Sequence, residues 1–179
     1  MKELLPGFDV TSADEAWVFE DVVEDGQTFA ENALKKAQFV ARETGQWAVA
    51  DDSGICIAAL DGAPGIMSAR WAESDDDKIN LTLEKLKDIP EKERHARIEA
   101  ALALVSPDGR EWVFDGRVDG QIALEPRGEN RKKLPYDRIF IPKGHDKTFA
   151  EMTAQEKHIL SHRGKAFRKL KEFLDNFGN

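Results

Sequence analysis

Between Arg97 and Val118 one set of apolar residues falls on alternate positions to either side of a turn. Ile98, Ala100, Leu102 and Leu104 alternate, Pro107-Asp108-Gly109 follows, and Trp112, Phe114 and Val118 resume the pattern. A period of two is that of a strand with one face toward a core, and proline and glycine supply the dihedrals of a tight reversal. The segment therefore predicts a β-hairpin, around which the rest of the fold has to be arranged.

Helical signals flank it. Thr28 and Glu31 have the spacing of a capping box, Ala33, Leu34, Ala37, Val40 and Ala41 recur at helical spacing, and Gly45 is a natural stop, which predicts a helix from Phe29 to Thr44. Ser74 with Asp77 opens a second helix to about Lys87, and Ser161 a third with the stripe Ala166, Phe167, Leu170, Phe173, Leu174 and Phe177. Apolar runs at 47–50 and 55–60, separated by the polar Asp51-Asp52-Ser53-Gly54, predict strand, turn and strand; Gly62-Ala63-Pro64-Gly65 predicts another turn, and 121–124 and 138–141 short strands. Helices and strands mix without regular alternation, so the expected class is α/β, a mixed central sheet flanked by helices. No repeat or linker divides the 179 residues, which predicts a single domain over 1–179.

Charge narrows the function classes. Residues 1–126 hold 13 basic and 27 acidic side chains and residues 127–179 hold 13 and 7, so the net charge of -8 divides into -14 and +6. An acidic chain is poorly suited to long nucleic acid, while a basic last third suits a small anion or simply a solvated helix face. No apolar run approaches the ~20 residues of a bilayer span and the opening has no signal-peptide pattern, so no membrane partner is expected. The lone Cys56 fits a reducing compartment, and the expected location is cytoplasmic.

Three places carry candidate chemistry. Asp51 and Asp52 before Ser53-Gly54 form an oxygen-only pair that suits Mg²⁺, though the same residues are ordinary loop chemistry. Glu20, Asp21, Glu24 and Asp25 precede the Thr28 helix, either as further ligands or as acids favoured by the helix dipole; Lys36 on that helix faces a phosphate or water. Lys157, His162 and Arg163 bracket a helix start, where side chains and free N–H groups together hold anions or a base carbonyl, or where His162 is an ordinary cap neighbour.

The motifs GQTFAENALKKA, ADDSG, GAPGIMSARWA, PYDRIF, KTFAEM and EKHILSHRGKA stand in the order and approximate spacing of one family. The chain resembles the inosine/xanthosine triphosphate pyrophosphatases over nearly its whole length, about Glu20 to Leu174. The resemblance implies an elongated, two-lobed fold with a nucleotide cleft, a homodimer, and Mg²⁺-assisted attack of water on the α-phosphorus of a non-standard purine nucleoside triphosphate (ITP, dITP or XTP), releasing the monophosphate and pyrophosphate. It implies Asp52 as general base and metal ligand, with Asp51 beside it as a further metal ligand. It also implies Lys36, Ser53 and Lys157 as phosphate or substrate contacts, Tyr136 and Asp137 in the base-recognition segment, and His162 and Arg163 on the 6-oxo purine edge.

The chain departs from that family in three places. The family's opening strand and T-x-N-x-x-K phosphate loop have no match before Met1-Lys2-Glu3-Leu4-Leu5, so both are expected to be missing, with Arg131, Lys132 and Lys133 as substitutes. Val23 stands where the family has a second metal-binding Glu, leaving Glu24 or Glu20. Leu134 replaces the aromatic that stacks on the purine, and Pro135 a glycine. A non-catalytic relative that keeps the fold and binds nucleotide or a protein partner is the second reading of the same residues.

Overall fold

A computed structural model describes residues 5, 7–16, 18, 22–131 and 133–177. Helix α1 (Phe29–Thr44) starts where the Thr28 hydroxyl accepts the Glu31 N–H and ends where Gly45, in the left-handed region, donates back to the Ala41 carbonyl. The Glu31 carboxylate accepts from Gln27, one residue before the cap. Strand β1 (Ala48–Ile57) follows, then α2 (Asp75–Lys85) with a reciprocal Ser74–Asp77 capping box. The hairpin is β2 (His95–Val105) and β3 (Glu111–Ile122), β4 is Phe140–Pro142, and α3 (Ala154–Leu160) and α4 (His162–Phe177) close the chain. Among the described residues the sheet order is β1-β2-β3-β4, with β4 antiparallel to β3 through Gly120 opposite Pro142 and Ile122 opposite Phe140. The fold is mixed α/β, as the irregular alternation predicts.

Two expectations are corrected. The runs at 47–50 and 55–60 are not two strands around a turn: residues 51–54 lie within the single strand β1, because the Asp51 and Asp52 side chains find partners on neighbouring elements and need no turn to reach water. Residues 121–124 form no separate strand either; Gln121 and Ile122 end β3, and β4 begins at Phe140, after a 3-10 turn over Pro135–Arg138.

The chain divides into two compact units, Met1–Asp52, Ala100–Gly116 and His162–Asn179 in one, Ser53–Glu99 and Arg117–Ser161 in the other. In the first, alternate residues of β2 face opposite helices. Ala101, Ala103 and Val105 pack with Ala48 against Ala33, Ala37 and Ala41 of α1, whereas Leu102 and Leu104 pack against Ala166, Phe167 and Leu170 of α4. Both faces are covered, so this part of β2 is buried without the polar alternation of a half-exposed strand. The apolar stripe of α4 continues through Phe173 onto Trp112 and Phe114.

The second unit has its own core of Ile55, Ile57, Ile79, Leu86, Ile98, Val118, Ile122, Ile139, Phe140 and Phe149. Arg94 is 4% exposed there, its guanidinium donating to the carbonyls of Leu86 (2.8 Å), Ile89 (2.9 Å) and Ala123 (3.5 Å). No described helix is long and apolar enough to cross a membrane.

Candidate active site

In the first unit the pleat of β1 decides where its acids go. Successive side chains point to opposite faces of a strand, so Ala48, Ala50 and Asp52 lie on the α1 side and Val49 and Asp51 on the α4 side. Asp52 meets Asn32 and Lys36, which are four apart and share one face of α1. The Asn32 Nδ2 donates to Asp52 Oδ2 at 3.0 Å, and the Lys36 ammonium lies 3.7 Å from Asp52 Oδ1 and 2.8 Å from Glu24 Oε1. Glu24 reaches this place because the Gly26 N–H donates to Asn32 Oδ1 at 2.8 Å and because Lys35 pairs with Asp25. The hydrogen bond from Lys35 holds the Asp25 carboxyl below its usual range.

Asp51 belongs to the other face, where its Oδ2 accepts the Arg163 Nε–H at 2.7 Å. The two adjacent aspartates are thus separated, and Asp52 shares its surroundings with Glu24 instead. His162 and Arg163 open α4, and His162 is buried. That first turn lies directly on Gly116 of β3, where an added Cβ would overlap the His162 carbonyl oxygen and come within 2.9 Å of the Ala166 nitrogen.

In the second unit Asp137, 4% exposed, pairs with the Lys157 ammonium, which also lies 5.5 Å from the centre of the Phe149 ring. The Tyr136 hydroxyl donates to the Ser68 carbonyl at 2.9 Å, and the Ser68 hydroxyl accepts the Ile55 N–H and donates to the Gly65 carbonyl. Burial, with the Asp75 charge behind it, pushes the Tyr136 hydroxyl well above its ordinary range, so it stays a neutral donor. The GAPGIMSARWA segment is therefore fastened to the PYDRIF segment. Ser53 is the half-buried residue after Asp52 in β1.

Of the proposed substitutes for a phosphate clamp, Arg131 donates to the carbonyls of Phe149 and Met152, Lys133 is exposed with its backbone N–H on Asp75, and Lys132 lies outside the described residues. Glu20 and Asp21 also lie outside them. Sequence reasoning missed Asn32 and Gly116 as residues that build the site. Asn32 had a signal: it lies one turn before Lys36 and is an amide next to the alanine stripe of α1, where only a bonded polar group is tolerated.

The donor chemistry fits Mg²⁺. Two carboxylates, Asp52 and Glu24, converge on one cationic point, the Lys36 ammonium, and both offer the hard oxygen ligands that the ion takes. Among the described residues no group of three or more His, Cys, Asp or Glu side chains is placed to hold a metal ion.

The comparisons with known proteins agree with one another. A family model described as the Ham1 family matches residues 1–173. The dITP/XTP pyrophosphatase of Streptomyces avermitilis is 49% identical over 165 residues, 90% of this chain and 82% of that protein. The dITP/XTP pyrophosphatase of Bacillus subtilis is 45% identical over 179 residues, covering 97% of this chain and 89% of that one. The solved structure of the Staphylococcus aureus Ham1 protein superposes with a TM-score of 0.89 at 37% identity, covering 98% of this chain and 91% of its own.

Proposed function

This chain belongs to the Ham1 family and is a nucleoside triphosphate pyrophosphatase, and we propose that it hydrolyses the non-standard purine nucleotides dITP, XTP and ITP to their monophosphates and pyrophosphate. The observation that carries the proposal is the Asp52 carboxylate, held by Asn32 and set beside Lys36 and Glu24, in a chain about half identical to named dITP/XTP pyrophosphatases.

In this reading Asp52 takes the proton of the attacking water as general base, for which a carboxylate fixed by a donor on one oxygen is well suited. Lys36 is the donor to the phosphate, exchanging its Glu24 partner for a phosphate oxygen. Mg²⁺, when bound by Asp52 and Glu24, neutralises the triphosphate charge and polarises the reacting phosphoryl group. His162 and Arg163 are the donors to the purine O6, with Asp51 orienting the Arg163 guanidinium. Donors aimed at a carbonyl penalise an amino purine, because they would be left unpaired against it. On the resemblance, Ser53 and Lys157 are substrate contacts and Tyr136 and Asp137 belong to the base-recognition segment, Tyr136 through the position it gives the PYDRIF segment. We infer a homodimer from the resemblance, a single domain from the unbroken 179 residues and a cytoplasmic location from the lone Cys56.

The test is release of pyrophosphate, rather than orthophosphate, from dITP, XTP, ITP, GTP and ATP with Mg²⁺. The keto purines with no 2-amino group should be preferred, and Asp52→Asn should lower kcat by about 10²–10⁴-fold. A folded wild type no more active than Asp52→Asn removes the catalytic reading.

A further inference from the structure

Asn32 is fully buried, a place where an amide destabilises the fold unless its groups are bonded. Its Oδ1 accepts the Gly26 N–H at 2.8 Å and its Nδ2 donates to Asp52 Oδ2 at 3.0 Å. Those partners decide the orientation of the amide, because a backbone N–H only donates and a carboxylate accepts. Gly26 lies two residues beyond Glu24, so one side chain ties the segment bearing one carboxylate to the strand bearing the other. There is no slack at the joint: a Cβ on Gly26 would lie 2.6 Å from Asn32 Oδ1 and 2.8 Å from the Glu31 Cβ.

We propose that Asn32 is a positioning residue of the pyrophosphatase site, a clamp that sets the separation of Glu24 from Asp52 and anchors Asp52 by Oδ2 so that Oδ1 faces Lys36 and the cation. The proposal rests on the reading of Asp52 as the catalytic carboxylate. A leucine keeps the branched outline of asparagine, with bulkier ends, and supplies neither bond; aspartate keeps the volume and so separates packing from clamping. Asn32→Asp keeps the acceptor for Gly26 and removes the donor to Asp52, and Gly26→Ala disturbs the clamp from its other end.

In a folded Asn32→Leu protein, kcat for pyrophosphate release from dITP should fall about 10–100-fold and the affinity for Mn²⁺ alone, followed by its EPR signal without nucleotide, by a similar factor. The KM for dITP should stay within about threefold, since substrate contacts are untouched. Hydrogen exchange at the Gly26 amide gives a readout free of activity: slow in wild type and in Asn32→Asp, fast in Asn32→Leu. Wild-type kcat and Mn²⁺ affinity in Asn32→Leu, or equal exchange in all three proteins, overturns the clamp. A wild type that releases no pyrophosphate from dITP or XTP overturns the functional reading instead, and the exchange and Mn²⁺ measurements still decide the clamp.

Discussion

The Nε–H of Arg163, in the first turn of α4, donates to Oδ2 of Asp51 in β1 over 2.7 Å, between residues 112 apart in the chain. Its neighbour Asp52 bonds to α1 on the opposite face of the same strand. One pleat thus sends two adjacent carboxylates to two different tasks, one to orient a guanidinium and one to meet a lysine and a second acid.

That division predicts different kinetic defects at adjacent positions. Asp51→Ala should leave kcat for dITP within about twofold and weaken discrimination of dITP from dATP by about fivefold, the equivalent of the ~1 kcal/mol expected for a partly exposed ion pair. Asp52→Asn should do the reverse, with a large loss in kcat for every triphosphate. Steady-state kcat and KM for both nucleotides measure the split; a pure kcat loss in Asp51→Ala contradicts it.

Gly116 sets how closely α4 approaches β3. An added Cβ meets backbone atoms of His162 and Ala166, which cannot rotate away as a side chain can. Gly116→Ala should therefore destabilise the protein by about 2–4 kcal/mol and displace the turn carrying His162 and Arg163. Gly109 makes the control: its φ is +83° but its surroundings are open, so Gly109→Ala should lose only about 1 kcal/mol, from backbone strain. Urea unfolding of the two variants should separate them clearly.

Local signals made the helices legible. The Thr28 and Ser74 caps and the alanine stripe of α1 lie within a few residues of the elements they define, and each helix starts where its cap stands. Helix α3 carries the same signal in Thr153 and Glu156, but none of its seven residues is buried and so no apolar stripe marks it. The continuity of β1 was hidden for a different reason. Asp51-Asp52-Ser53-Gly54 has the composition of a turn, and only partners 20 and 112 residues away allow it to stay a strand. The pairing of Glu24 with Asp52, rather than Asp51 with Asp52, is likewise a consequence of tertiary contacts on one face of β1.

Arg94 tests the stability of the second unit. Truncating a buried cation bonded to three carbonyls removes a donor from each, at the end of α2 and next to β3, while the Leu86 oxygen keeps another partner, the Ile89 N–H. Arg94→Ala should cost about 2–4 kcal/mol, from carbonyls left without a donor and from lost packing of the side chain, and Arg94→Lys most of that, because one ammonium cannot reach three acceptors spread along a planar fork. Denaturant melts should show this loss; a variant within about 0.5 kcal/mol of wild type, the range of an ordinary surface change, would contradict the role assigned to the guanidinium.

Acid should act on the capping carboxylates of the KTFAEM segment and α3. The Thr148 N–H donates to Glu151 and the Thr153 N–H to Glu156, and these bonds hold both carboxyls below their ordinary 4.5. A group whose pKa is lower in the folded state binds its proton less readily than in the unfolded chain. Its contribution is therefore complete above the unfolded value of 4.5 and is lost as pH falls through the folded value. Glu151→Gln keeps an acceptor but removes the titration. The melting temperature of wild type should exceed that of Glu151→Gln at pH 6, and the gap should shrink steadily below about pH 4.5 as the wild-type carboxyl takes up its proton. Scanning both proteins from pH 6 to pH 3 checks the sign, and a gap that widens on acidification would show that Glu151 is not held as an anion in the folded protein.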